Sequence, residues 1–203
     1  MPSASKVEYD AHRRRADLIV KHAGSLVKAS MAEDKAILLH AALAAHVAAW
    51  DAYIKAVVMK KYHSVGRDQD AGYAQLRSIA EDRAKEAAKK LNTPNADNVR
   101  GFFLQCSQFD PWPNWANIKF GSEVLSSSLN VRERVDQVLK VRHSFSHGFP
   151  MPVFEWNQGQ DGATKLNVAI LKSVSGFFAA LVDRTDVAYS NHISTTFAIQ
   201  RPW

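Results

Sequence analysis

From Met31 to about Tyr62 the chain carries one unbroken helical pattern. Ile37, Leu38, Ala41, Ala44, Ala45, Ala48, Ala52, Ala56 and Met59 recur at spacings of three and four residues, and alanine is the strongest helix former. A helix of that length acts as a central scaffold against which the other elements are laid. Residues 6 to about 29, with Val7, Ala11, Leu18, Val20 and Leu26, predict a first helix that breaks near Ser30. After a break from Ser64 to Asp68, a charged third helix runs to about Leu91 and stops before Asn92-Thr93-Pro94, where proline and its predecessor disfavour helix. A fourth spans Asn95 to about Phe109, with Val99, Phe102, Phe103 and Cys106 on one side. A polar cap at Ser126-Ser127-Ser128 opens a fifth through Val131, Val135, Val138 and Val141, and a last helix runs from about Ile170 to beyond Asn191.

Two stretches depart from helix. Asp110-Pro111-Trp112-Pro113-Asn114-Trp115 cannot be regular structure, and its tryptophans are expected to plug a core edge. Val153-Phe154-Glu155-Trp156, a polar turn from Asn157 to Gly162, and Lys165-Leu166-Asn167-Val168 alternate as a short hairpin would. The expected fold is therefore mostly α: a single-domain helical bundle over residues 1–203, its core at about 31–190, with a small β-hairpin before the last helix.

Composition narrows the class. A length of 203 residues suits one domain, and 46% hydrophobic with 23% charged residues is ordinary for a globular protein. No uninterrupted apolar run approaches the ~18 to 20 residues that span a bilayer, and the first ten residues lack an apolar signal core, so no membrane partner and a cytoplasmic location are expected. The single cysteine, Cys106, excludes a disulfide within the chain and cannot alone build a thiolate metal site. A net charge of +6 leans toward polyanionic partners such as nucleic acid. Arg13-Arg14-Arg15 and Lys89-Lys90 read equally as solvated helix faces.

Chemistry concentrates at Val141-Arg142-His143-Ser144-Phe145-Ser146-His147-Gly148-Phe149-Pro150. An arginine, a polar residue directly after it and a histidine five positions on occupy the last turn of the fifth helix, closed by a glycine suited to a left-handed cap and then by proline. Spacing alone is weak: twelve arginines and eight histidines in 203 positions give roughly half an Arg-x4-His match by chance. Arg15 and His22 form a decoy of related spacing, but apolar Ala16 follows the arginine and no glycine cap follows the histidine. On a helix Arg142 and His147 lie roughly 140° apart, so a long arginine must reach round to share a phosphate with His147, whereas Arg142 with Ser146 and His143 with His147 each share a face. A bland alternative stands beside this. Arg142 could pair with a carboxylate on a neighbouring helix, and His147 could cap its own helix's carbonyls. The remaining histidines, His12, His22, His40, His46, His63 and His192, show no metal-ligand spacing, and no cofactor is called for.

At these residues the chain resembles the HEPN superfamily, most closely its RiboL-PSP-HEPN type, whose signature is Arg followed by Asn, Asp or His, three residues, and His, commonly His-Gly. His46 to Tyr53, with Trp50, Asp51 and Tyr53, is similar to that family's long second helix, and Asn95 to Trp115 to its next helix and Trp-containing loop. The resemblance implies metal-independent RNA cleavage through the 2'-hydroxyl by a homodimer, with two motif copies facing one cleft. Arg142 would hold the phosphate and His147 act as base or acid; His143 and Ser146 would orient or bind, and Asp51 would hydrogen-bond a motif residue from the adjacent helix. It further implies a toxin or defence effector with an antitoxin or other protein partner. A non-catalytic member binding RNA, a nucleotide or a protein through the same cleft is the alternative.

Overall fold

The computed structural model describes residues 1–65, 71–158, 166–200 and 202–203. Among them are six helices: α1 (Ala4–Ser25), α2 (Ala32–Ser64), α3 (Ala71–Lys90), α4 (Ala96–Ser107), α5 (Ser128–Ser146) and α6 (Val168–Phe197). An antiparallel hairpin, β1 (Ile118–Phe120) with β2 (Glu123–Leu125), lies between α4 and α5. The fold is mostly α, with one small hairpin among the described residues, ahead of the last helix.

Local chemistry fixes the helix starts. The side chains of Ser3, Asn95, Ser127 and Asn167 each accept the backbone N–H three residues on, at the N-termini of α1, α4, α5 and α6. α2 has no side-chain cap; it is entered through a 3-10 turn at Ala29–Met31 and carries Glu33 and Asp34 in its first turn, where the helix dipole favours negative charge.

α2 is the axis of the core. Leu43, Trp50, Ile54, Val57 and Val58 on it are fully buried, and it packs against the five other helices. Trp50 stacks on Phe178 of α6, ring centroids 5.7 Å apart, and donates its indole N–H to the carbonyl of Pro94 at 3.0 Å. Trp115 is also fully buried and donates to Thr185 Oγ1 at 2.9 Å, so each indole hides its apolar body and keeps one hydrogen bond. The core reaches further toward the N-terminus than residue 31, because Tyr9, Ala16, Val20 and Ala23 of α1 are buried along α2. The segment Ala29–Ser64 reaches a mean hydropathy of 1.4 over its most apolar 18-residue window despite its interrupted apolar runs; half of that window is buried inside the fold, as in a core helix.

The strands lie elsewhere than the alternation at Val153 to Val168 predicts. Glu155–Asn157 is a 3-10 turn in which Asn157 accepts the N–H of Phe154 at 2.7 Å and donates to the carbonyl of Pro152 at 3.0 Å. Asn167 caps α6, and Val168 is that helix's first residue. Asparagine side chains thus bond the backbone groups that a ladder would use. Residues 159–165, which hold most of the expected turn, lie outside the described residues, as do 66–68 of the expected break after α2. The actual hairpin alternates Ile118 buried, Lys119 exposed, Phe120 buried, and turns through Gly121 at φ +55°. Gly-Ser between two short apolar arms is a hairpin signal.

Candidate functional site

α5 delivers the motif to a defined end. His147 caps the helix, Gly148 takes φ +68°, and the chain closes with two backbone bonds, Gly148 N–H to Phe145 O at 3.3 Å and Phe149 N–H to Ser144 O at 2.8 Å. This is the Schellman arrangement, and it satisfies carbonyls that a helix end otherwise leaves open. A Cβ on Gly148 would meet nothing, so backbone conformation and not space is what requires glycine there. The consequence concerns His147: the backbone does the capping, so its imidazole is free of that task and exposed.

Arg142 occupies a different environment from its neighbours. It is half-buried, its Nε is shielded from solvent without a hydrogen-bond partner, and it forms no ion pair with any described residue. Arg100 and Arg134 differ: Arg100 meets Asp110 at 2.6 Å and Arg134 meets Glu123 at 3.0 Å. The carboxylate partner that would make Arg142 structural is therefore missing among the described residues. A half-buried guanidinium with a shielded Nε and no counter-charge among the described residues favours an incoming anion.

The histidines cluster around it. His143 and His147 lie nearly parallel, ring centroids 6.1 Å apart, and Phe149 sits 6.0 Å beyond His147. Burial, then the positive charge of Arg142, then His147, hold the His143 imidazole below the ordinary histidine range, which favours its neutral form. Ser146 is exposed and its hydroxyl donates to the carbonyl of Arg142 at 3.2 Å, while buried Ser144 donates to Val141 O at 2.8 Å. These serines bind their own helix.

One residue joins the site that the spacing argument passes over. His40 of α2 stacks on Phe145, centroids 4.1 Å apart and planes within 8°, with its Nδ1 shielded and unpartnered. Burial lowers its pKa too. Metal-ligand spacing is the wrong signal for such a residue; its place on α2 becomes visible only when α5 is laid alongside.

Asp51 does not join the site. Its Oδ2 accepts from Lys55 at 2.6 Å and its Oδ1 is shielded without a partner. It lies eleven residues beyond His40 on α2, which is about 16 Å along the axis. The expected bond from Asp51 to a motif residue is thus replaced by an i,i+4 pair within α2, the nearest cation available. Trp112 is half-buried between the guanidinium groups of Arg100 and Arg132, at 4.2 and 4.0 Å from its ring. The decoy residues Arg15 and His22 are both exposed on α1.

No family model, curated protein or solved structure matches this chain. The geometry of the α5 terminus therefore carries the functional argument by itself.

Proposed function

We propose that this chain is a metal-independent RNA endonuclease whose site is built from Arg142 and His147 of two copies facing each other across a homodimer cleft. The observation that carries the reading is Arg142, shielded at Nε and unpaired, one turn from the exposed imidazole of His147. Exposed apolar side chains lie in and directly after the motif, with Phe145 50% and Phe149 67% exposed, and they support its burial against a second copy.

The chemistry follows from the groups. The guanidinium grips the non-bridging oxygens of the scissile phosphate and stabilises the charge that builds on five-coordinate phosphorus. One His147 removes the proton of the 2'-hydroxyl; the 2'-oxygen attacks phosphorus, and the bond to the 5'-oxygen breaks. The partner's His147, protonated, gives that oxygen its proton. The products are a 2',3'-cyclic phosphate and a 5'-hydroxyl. A single copy offers one exposed imidazole, His147, since His143 is half-buried and held toward its neutral form and His40 is stacked on Phe145. The reaction needs an acid and a base, which is why the dimer belongs to the proposal. His143, held neutral beside Arg142, orients the phosphate or the ribose.

The test is cleavage of RNA by purified protein in EDTA. Wild type should fragment it, and Arg142→Ala or His147→Ala should not. Fragmentation surviving both substitutions sinks the reading; saturable, salt-sensitive binding without cleavage would instead make the chain a non-catalytic RNA-binding module.

A further inference from the structure

A second cleft, of about 500 Å3, lies between α1 and the first turns of α6, walled by Arg13, Asp17 and Lys21 on one side and Val168, Lys172 and Ser175 on the other. No residue of α5 lines it, so it is separate from the motif. Its polar groups are held close together without being satisfied. Arg13 reaches Asp10 at 3.6 Å and Asp17 at 3.5 Å without hydrogen-bonding either, and its Nε is shielded with no hydrogen-bond partner. Asp10 itself is taken by Lys6 at 2.9 Å. Behind Asp17 lies His46, 1% exposed, its Nε2 3.6 Å from Asp17 Oδ1 and neither ring nitrogen hydrogen-bonded. Buried polar groups in folded proteins are nearly always paired, so two shielded groups without a hydrogen-bond partner, Arg13 Nε and the His46 ring, on either side of Asp17 mark a place for a missing polar partner.

The charge on the walls says what kind. Lys21 and Lys172 project from opposite sides, both exposed, and neither makes an ion pair or hydrogen bond with any described residue. Arg13, Lys21 and Lys172 against Asp17 leave the lining two charges positive. No aromatic side chain lines the cleft, so it offers no platform for stacking a base, and its volume lies in the range of small-ligand pockets.

We infer that this cleft binds a phosphomonoester dianion, the phosphate held between Lys21 and Lys172 with the Arg13 guanidinium beneath it and Asp17 and His46 positioning Arg13. The site is independent of RNA cleavage at α5. The phosphate could be inorganic or carried by an organic molecule, and the phosphate group is what the lysines recognise.

Calorimetry on the full chain at fixed ionic strength, with inorganic phosphate, a nucleoside 5'-monophosphate and the same nucleoside lacking phosphate, tests this. Both phosphates should bind and the nucleoside should not; tighter binding of the monophosphate would assign an organic phosphate, and equal binding the inorganic ion. Lys21→Ala and Lys172→Ala, at exposed positions that leave the core intact, should each weaken binding about tenfold or more. The titrations are made in the Arg142→Ala background, which removes the anion site proposed at α5, so phosphate binding that persists there and is lost with the lysines belongs to this cleft. Nucleoside binding equal to that of its monophosphate, undiminished phosphate binding in the double lysine variant, or absence of binding at about 10 mM phosphate, well above the range of ordinary specific affinities, would each overturn the inference.

Discussion

Arg15 with His22 on α1 and Arg142 with His147 on α5 both set an arginine ahead of a histidine near a helix C-terminus, seven and five residues apart, and their surroundings differ. At α1 both side chains are exposed, the helix ends at Leu26 with φ −81°, and the carbonyl of His22 accepts from the hydroxyl of Ser25 at 2.7 Å. At α5 the helix ends through left-handed Gly148, the Arg142 Nε is shielded and unpaired, and His143, His147 and Phe149 form a short ring array. Spacing is the same kind of signal in both. What distinguishes them is that one arginine is half-buried with its Nε shielded and without a partner, and that property depends on neighbours far away in sequence.

The comparison can be broken most directly by kinetics. Removing Arg142 or His147 should lower the rate of RNA cleavage by about 10² to 10⁴-fold, the usual worth of one acid–base or charge-stabilising group. The double variant Arg15→Ala, His22→Ala should cleave within a factor of about two of wild type, because exposed helix charges contribute little. Equal losses from both pairs would erase the distinction.

A second contrast sets these exposed histidines against buried His46. Burial lowers the His46 pKa from 6.5 to about 4, against the opposing pull of Asp17. The folded state therefore binds fewer protons than the unfolded chain. Stability should be fully present above pH 6.5 and fall as pH drops from there toward about 4, by on the order of 3 kcal/mol. Melting curves at pH 7 and pH 4.5 should show a smaller acid loss in His46→Gln than in wild type.

The two helix ends also differ in their glycines. Gly148→Ala puts a Cβ on a left-handed residue, at a cost of about 1 to 2 kcal/mol, or a melting temperature lower by roughly 2 to 8 °C. Gly24→Ala sits inside α1, where the added Cβ would make ordinary contact with Val168 at 3.5 Å. There, the helix preference for alanine, up to about 1 kcal/mol, should leave stability unchanged or higher. The smallest expected effect is electrostatic. Arg142→Gln removes a positive charge that holds His143 down, so its NMR titration should move upward toward the ordinary histidine range, while Arg15→Gln should not shift it.

The helices were legible because their causes are local: periodic apolar residues, and a cap at Ser127 that reads directly from the chain, whereas Asn167 reads as part of a strand and instead caps α6. The glycine stop at Gly148 was legible for the same reason. The hairpin was misplaced because alternation at Val153 to Trp156 looks like a strand until Asn157 turns its side chain onto the backbone. Gly121-Ser122, with two short arms, carried the right signal over only eight residues from Ile118 to Leu125. His40 and Asp51 show the deeper limit. Both lie on α2, and which of them faces the motif depends on how α5 packs across it. No spacing rule within one helix encodes that.

The most direct test of the central claim is the chemistry of the ends produced when RNA is incubated with the protein in EDTA. The Arg142 and His147 mechanism requires fragments with 2',3'-cyclic phosphate at one end and 5'-hydroxyl at the other. Fragments with 5'-phosphate ends, or RNA left intact at all protein concentrations, would contradict it.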